Sequence, residues 1–383
     1  MKVLWIGDAV VQSGFSVVTH NICKRLQDKC EVVVFGVRYD GRTRHHCKYH
    51  IYPGLAPGDM YNFEFAGNVV LWENPDIIII FNDLHIIRKY IEWIQSVTRN
   101  YDTKARVIPL FPVNLLPLNK SDVLALTELG VDTVLTYTDY SKNKVTEINP
   151  NLNIVSIYHG VDRGTYYSIP NAKQEMGLKN YFVVGNVNSN TYRKRLDLFL
   201  EGFAKFARGK PDVRCLIHAN NKDISYDLPT LASDLGIADK VIISSGNLTP
   251  DKVNVLYNIM DVNTNTSLGE GFGLSLVEGA ACGTPILCAN HGNLRDIWGA
   301  SADYIKIKRS EYVAGTLYKG DVIDTSDFVI KLDRFYEDRN YLQQRGKSVL
   351  TACGHRKFDW DGVTDKVFGA ATKVNSGRLS IVS

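Results

Sequence analysis

Two carboxylates, Glu270 and Glu278, stand eight positions apart. Glu270 lies in the string Gly269-Glu270-Gly271-Phe272-Gly273-Leu274, and Glu278 lies inside the helix which that string opens. Unpaired backbone N–H groups at a helix start attract anions and hydroxyl oxygens, and glycines let a ligand come close. A second cluster, Arg193-Lys194-Arg195, places cations at another predicted helix start, where the macrodipole favours anions by roughly 0.3–1 kcal/mol. A bound diphosphate would supply the missing negative charge and bridge Arg193, Lys194 and the backbone amides. Each feature also has a plainer reading. Glu270 can complement the helix dipole, the glycines can turn the chain, and a basic run can face water.

The elements around these residues predict an α/β chain. Asp261-Val262-Asn263-Thr264 reads as a strand end, the Gly-loop and short helix follow, and Pro285-Ile286-Leu287-Cys288 is the next strand. That order puts ligands at strand C-terminal ends. Tyr181-Phe182-Val183-Val184 starts this half, and Leu196, Phe199, Leu200, Phe203 and Phe206 form one apolar helix face after the basic cluster. Asn247 and Leu248 sit on a strand-to-helix loop closed by Thr249-Pro250. The first half repeats the style, from Val3-Leu4-Trp5-Ile6 and a loop containing Gly14, through Ile77-Ile78-Ile79-Ile80-Phe81, to Ile154-Val155-Ser156-Ile157. Its first loop lacks the GxGxxG fingerprint, which argues against NAD or FAD there. Gly14 reads either as a close-approach glycine or as a turn.

The 383 residues suit two domains of roughly 150–190 residues. We place an N-terminal Rossmann-like domain at 1–165, a second at 175–360 and a C-terminal helix at 361–383. A net charge of +3 gives no global attraction to nucleic acid or membrane. No apolar run approaches the roughly 20 residues of a membrane span. Seven cysteines without a CxxC pair fit free thiols in a reducing, cytoplasmic setting rather than a disulfide or zinc framework. The adjacent residues of His45-His46-Cys47 are poorly placed to converge on one metal ion, and the string reads as a solvated loop.

The block Gly-Glu-Gly-Phe-Gly-Leu-x-x-x-Glu, followed by Gly-Ala-Ala-Cys-Gly-Thr-Pro and Gly292-Asn293-Leu294-Arg295-Asp296-Ile297, resembles retaining glycosyltransferase family 4 (glycosyl transferases group 1). The Gly14 loop, Tyr158-His159-Gly160-Val161-Asp162, the basic cluster and Phe358-Asp359-Trp360-Asp361 extend the likeness over nearly the whole chain. The resemblance implies the GT-B fold, two Rossmann-like doubly wound domains facing across a cleft, with a last helix crossing back to the first domain. It implies that Glu278 accepts hydrogen bonds from the donor ribose, since one carboxylate can hold a vicinal diol. It puts Glu270 against the transferred sugar, the amides of Gly271, Phe272, Gly273 and Leu274 on sugar and phosphate, and Arg193 and Lys194 on the diphosphate. Asn247 and Leu248 would lie by the nucleobase, and Gly14 would let the first domain approach the diphosphate.

The implied reaction moves a hexose from a nucleotide diphosphate sugar to an acceptor hydroxyl with retention at the anomeric carbon. The acceptor would be a carbohydrate, a lipid or a protein-linked glycan. Cationic side chains would replace a catalytic metal, and no cofactor is implied beyond the nucleotide sugar. The chain departs from the family pattern in two places. Asn186 stands where members often carry Arg, and the loop Phe111-Pro112-Val113-Asn114-Leu115-Leu116-Pro117 lacks a sugar-contacting His, leaving Asn114 as its substitute. The Val-Asn-Leu-Leu-Pro string resembles mannosyl-transferring relatives and favours GDP-mannose over UDP-glucose. Those departures also motivate an alternative, a nucleotide-sugar-binding protein without transferase activity.

Overall fold

The structure, a computed structural model, describes the chain except residues 102, 104, 220–224, 314 and 374–383. The last ten residues of the expected 361–383 segment thus lie outside the described residues. The chain divides into two units. The first takes Met1–Val113, Leu118–Gly160 and the segment beginning at Asp359; the second takes Asn114–Pro117 and Val161–Phe358.

The first unit alternates strand and helix: β1 (Lys2–Asp8), α1 (Gly14–Leu26), β2 (Glu31–Val37), β3 (His50–Gly54), α2 (Phe63–Glu73), β4 (Ile77–Phe81), α3 (Leu84–Thr98), β5 (Arg106–Leu110), α4 (Lys120–Glu128), β6 (Thr133–Thr136), α5 (Asp139–Thr146) and β7 (Asn153–Ser156). All strands pair in parallel in the order β3-β2-β1-β4-β5-β6-β7. Parallel strands are covered on both faces, which is why Ile77–Phe81 is apolar throughout and buried throughout. α1 starts in a capping box: the Ser13 hydroxyl accepts from the Ser16 amide at 3.1 Å, and the Ser16 hydroxyl answers the Ser13 amide.

The second unit contains α6 (Ala172–Glu175), β8 (Phe182–Val187), α7 (Leu196–Phe206), β9 (Val213–Ala219), α8 (Leu228–Asp234), β10 (Val241–Ser245), α9 (Pro250–Ile259), β11 (Val262–Asn265), α10 (Leu274–Ala281), β12 (Ile286–Ala289), α11 (Gly292–Trp298) and β13 (Asp303–Ile305). A hairpin of β14 (Ile307–Tyr312) and β15 (Lys319–Ile323) follows, then α12 (Thr325–Glu337) and α13 (Arg339–Cys353). The main sheet is parallel, in the order β10-β9-β8-β11-β12-β13. Both sheets reverse direction of growth beside their own first strand, between β1 and β4 and between β8 and β11, the switch points where such sheets hold ligands.

The predicted apolar face of α7 is buried as read: Leu196, Phe199, Leu200, Phe203 and Phe206 enter one core with Phe328 and Phe335 of α12. Each such side chain contributes about 1.5–3 kcal/mol of transfer free energy. Tyr257, Met260 and Leu216 form the core on the sheet's other face. The last helix, α14 (Trp360–Thr372), packs on α1 in the first unit, where Arg25 pairs with Asp361 at 2.5 Å and Lys29 with Asp365 at 3.1 Å. Asp359 caps α14 by accepting from the amides of Asp361 and Gly362. Both carboxylates of the Asp359-Trp360-Asp361 string therefore have structural partners. Among the described residues, no helix is long and apolar enough to cross a membrane.

Candidate functional site

β11 ends in a polar run, Asn263 to Ser267, and every one of these side chains is buried. Buried polar groups need partners, and here they hold the glycine loop. The Ser267 hydroxyl donates to Glu270 Oε2 at 3.2 Å and the Asn265 amide does so at 3.3 Å. Thr266 reaches the carbonyls of Lys194 and Arg195. The Asn293 side chain, on α11, donates to the Glu270 carbonyl at 2.9 Å. Gly273 turns the chain into α10 with φ +82°, a conformation that favours glycine.

The basic cluster differs from its expected form. Arg193 and Lys194 lie in a single 3₁₀ turn, Tyr192–Lys194, and Arg195 takes a left-handed φ of 49° at the start of α7. Lys194 Nζ sits 2.6 Å from Glu270 Oε2, with both side chains about nine-tenths buried. Arg193 donates to the Gly269 carbonyl at 2.6 Å and stands 3.6 Å from the same carboxylate oxygen. Arg195 is paired with Asp197 at 2.9 Å, in the first turn of α7, and with Glu311 of β14. The expectation of cations lacking compensation is therefore corrected: the protein supplies carboxylates to all three, two of them from residues more than 70 positions away.

Electrostatics separate the two glutamates. Burial alone would raise the Glu270 carboxyl, but Lys194 and then Arg193 override it and hold it at about 2. Burial lowers the Lys194 ammonium to about 8, with Glu270 opposing. The pair is ionised at neutral pH. Glu278 lies in the second turn of α10, keeping part of its surface open although protein surrounds it. Burial pushes its carboxyl up to about 7, against the hydroxyls of Tyr257 and Tyr166, which donate to it. The Tyr257 bond is 2.7 Å long.

Main-chain bonds and one histidine hold the loop from behind. The Leu268 amide donates to the Arg193 carbonyl at 2.7 Å, and the Asp321 amide of β15 donates to the Leu268 carbonyl at 2.7 Å. His291 Nε2 donates to the Ser267 carbonyl at 2.6 Å while its Nδ1 faces Asp321 at 3.5 Å. A Cβ on Gly269 would lie 2.2 Å from the Asn114 carbonyl oxygen, so Gly269 is required by close approach.

The structure thus gathers Arg193, Lys194, Glu270 and Asn114 around one loop, with Gly271, Phe272, Gly273 and Leu274 leading from it into α10 and Glu278. The Phe272 ring is buried against Phe358, which leaves its backbone as the part that can serve a ligand. Leu248 packs on the core that contains Tyr257, the partner of Glu278, while Asn247 is exposed. Gly14 belongs to the first unit, where it is the first residue of α1 and takes no left-handed φ, which removes the turn reading for it. Sequence reading missed Asn265, Ser267, Tyr166, Tyr257, His291 and Asp321. Five consecutive polar residues, three of them within β11 itself, were the available signal for Asn265 and Ser267.

A family model described as Glycosyl transferases group 1 matches residues 168–348. The D-inositol 3-phosphate glycosyltransferase of Gordonia bronchialis is 34% identical over 225 residues, covering 56% of this chain and 46% of the relative. The chain spans about a third to a half of the length of the curated relatives it matches. Sucrose-phosphate synthase from Thermosynechococcus elongatus superposes with a TM-score of 0.78 at 14% identity, over 96% of this chain and 97% of that one. HepE of Anabaena, solved in complex with UDP and glucose, superposes at 0.74 with 15% identity, over 98% of this chain and all of that one. These likenesses show the fold, and the family match covers the domain that holds the glutamates and the basic turn. Residues 168–348 match the Glycosyl transferases group 1 model, in a chain of two parallel-sheet Rossmann-like domains of the GT-B fold class.

Proposed function

We propose that the protein is a retaining family 4 glycosyltransferase that moves a hexose from a nucleoside diphosphate sugar to an acceptor hydroxyl. The observation that carries this reading is the buried knot of Glu270, Lys194 and Arg193 on the glycine loop, with Glu278 one helix turn beyond. Glu278 takes the ribose hydroxyls, Lys194 and Arg193 the diphosphate, the amides of residues 271–274 the phosphate and sugar, and Asn114 an outer sugar hydroxyl. Asn247 and Leu248 flank the base. The Gly14 assignment rests on the resemblance.

The bond from the anomeric carbon to the phosphate oxygen breaks, the bond to the acceptor oxygen forms on the same face, and the acceptor proton passes to the departing phosphate. The contacts of Glu270 favour recognition over covalent attack, because its Oε2 is held by Lys194, Ser267 and Asn265. In this reading Lys194 and Arg193 meet the charge that develops on the leaving diphosphate, and the reaction needs no metal. The donor we assign is GDP-mannose, from the Val113-Asn114-Leu115-Leu116-Pro117 string. HepE, solved with UDP and glucose, supports the nucleotide-sugar class.

A thermal-shift panel of nucleotide sugars followed by turnover in EDTA tests this. The expected result is stabilisation by GDP-mannose, transfer that survives chelation, and a product of retained configuration by NMR. Lys194→Ala and Glu278→Ala should both lose transfer, and wild-type activity in both would sink the reading. Saturable binding without turnover over a broad acceptor panel would select the binding-protein alternative.

A further inference from the structure

The first unit has a cleft of about 790 Å³ that the donor site does not use. One wall is α1, from His20 to its last turn, and the other is the loop of residues 43–49 between β2 and β3. The string His45-His46-Cys47, read from sequence as a solvated loop, forms part of that second wall.

Lys24, Arg44 and Lys48 line the cleft without a carboxylate partner among the described residues, and Asp28 is the acidic residue of the lining. Arg25, also in the lining, is already taken up by Asp361. Cations that line one concave surface repel one another, and an anion bound among them reduces that repulsion. The floor is rigid. His20 Nε2 donates to the Ala9 carbonyl, so Nδ1 is the acceptor for the Tyr49 hydroxyl at 2.6 Å. Burial lowers the pKa of His20, which keeps it a neutral post rather than a fourth cation. His45 Nδ1 is shut off from solvent and has no hydrogen-bond partner, a state that buried polar atoms rarely keep. Thr43 and Gln27 add a hydroxyl and an amide to the lining. The volume falls within the roughly 300–1,000 Å³ of small-molecule sites.

We propose that this cleft binds a phosphorylated polyol, its phosphate monoester held by Lys24, Arg44 and Lys48 and its hydroxyls by Thr43 and Gln27. The phosphate takes the charge that no carboxylate of the described protein meets. A surface lysine cluster that only faced water would need neither the concave wall nor the fixed His20–Tyr49 floor. The site stands on the first unit's own residues and does not depend on the donor reading.

Calorimetric titration of the full chain, with no nucleotide present, tests it. The probes are glucose 6-phosphate, mannose 6-phosphate, inorganic phosphate, unphosphorylated glucose and vesicles containing phosphatidic acid. The expected result is saturable binding of a sugar phosphate, at least about tenfold tighter than glucose and weakened by added salt. The triple variant Lys24→Ala/Arg44→Ala/Lys48→Ala should lose about tenfold or more while its circular dichroism and unfolding midpoint stay those of the wild type. All three positions are exposed, so the fold does not rest on them. Equal binding of glucose and its phosphate would overturn the proposal, as would unchanged affinity in the variant. Binding of inorganic phosphate alone, or only of vesicles containing phosphatidic acid, would also overturn it. Because no nucleotide enters the titration, failure of the donor reading leaves this result standing.

Discussion

Glu270 and Glu278 have the same side chain and opposite electrostatics, and each makes its own prediction. The Glu270 carboxyl falls from an ordinary 4.5 to about 2, so its share of stability is present above 4.5 and is lost as pH falls toward 2. Removing its partner is the severe change. Lys194→Ala takes away the closest cation and leaves the buried carboxylate only Arg193 at 3.6 Å, and it should cost up to about 3–5 kcal/mol in urea unfolding. Adding Glu270→Gln to that variant should restore part of the loss, since the two residues act as one unit. Glu278 runs the other way. Its folded pKa rises from 4.5 to about 7, so the stability it contributes is present below 4.5 and lost as pH climbs through 7. Glu278→Gln should therefore be more stable than wild type at pH 8 and equal to it near pH 4. The same variant should bind the nucleotide sugar more weakly, by about 10- to 150-fold if charge-assisted bonds of about 1.5–3 kcal/mol are lost. Wild-type donor affinity should rise as pH passes through about 7 and Glu278 ionises, and the variant should be flat over that range. Titration calorimetry at pH 6 and pH 8 measures both.

The glycine loop is shaped by elements on either side of it. Leu268 joins the basic turn to β15 through its amide and its carbonyl, and His291 of the loop before α11 holds the residue beside it. Gly269 meets the Asn114 carbonyl where any side chain would collide, so Gly269→Ala should destabilise by about 1–3 kcal/mol and lower donor affinity with it. A shift in midpoint with unchanged affinity would show that the loop tolerates the displacement. Much of this was legible in the residues themselves. The glycine spacing, the two glutamates and the basic turn could be read from types and distances along the chain, because local periodicity and helix starts are local properties. The partners could not. Asp321 lies more than 50 positions from Leu268 in a hairpin with no periodic signal of its own, and Glu311 reaches Arg195 from the same hairpin. Charges that look unopposed along the chain were paired in space.

At the scale of the whole molecule, two sheets each carry their own core and their own switch point. A donor bound by the second unit should protect that unit from hydrogen exchange, at residues 191–196 and 262–281 above all. At 100 times Kd the linkage is about 2.7 kcal/mol, enough to slow exchange there about a hundredfold. Protection confined to the first unit would place the donor elsewhere. The second unit consists almost wholly of one continuous stretch, Val161–Phe358, whereas the first needs the segment from Asp359 to cover α1. Gly160 lies against Trp360, so the seam is made by residues some 200 positions apart. On a ribosome, which releases the chain from its N-terminus, the earlier-made unit is consequently the later to close. It emerges before the second unit and waits with one flank of α1 uncovered until the segment from Asp359 has been made. A released chain truncated after Phe358 should show a protease-resistant second unit and a first unit that is still cleaved.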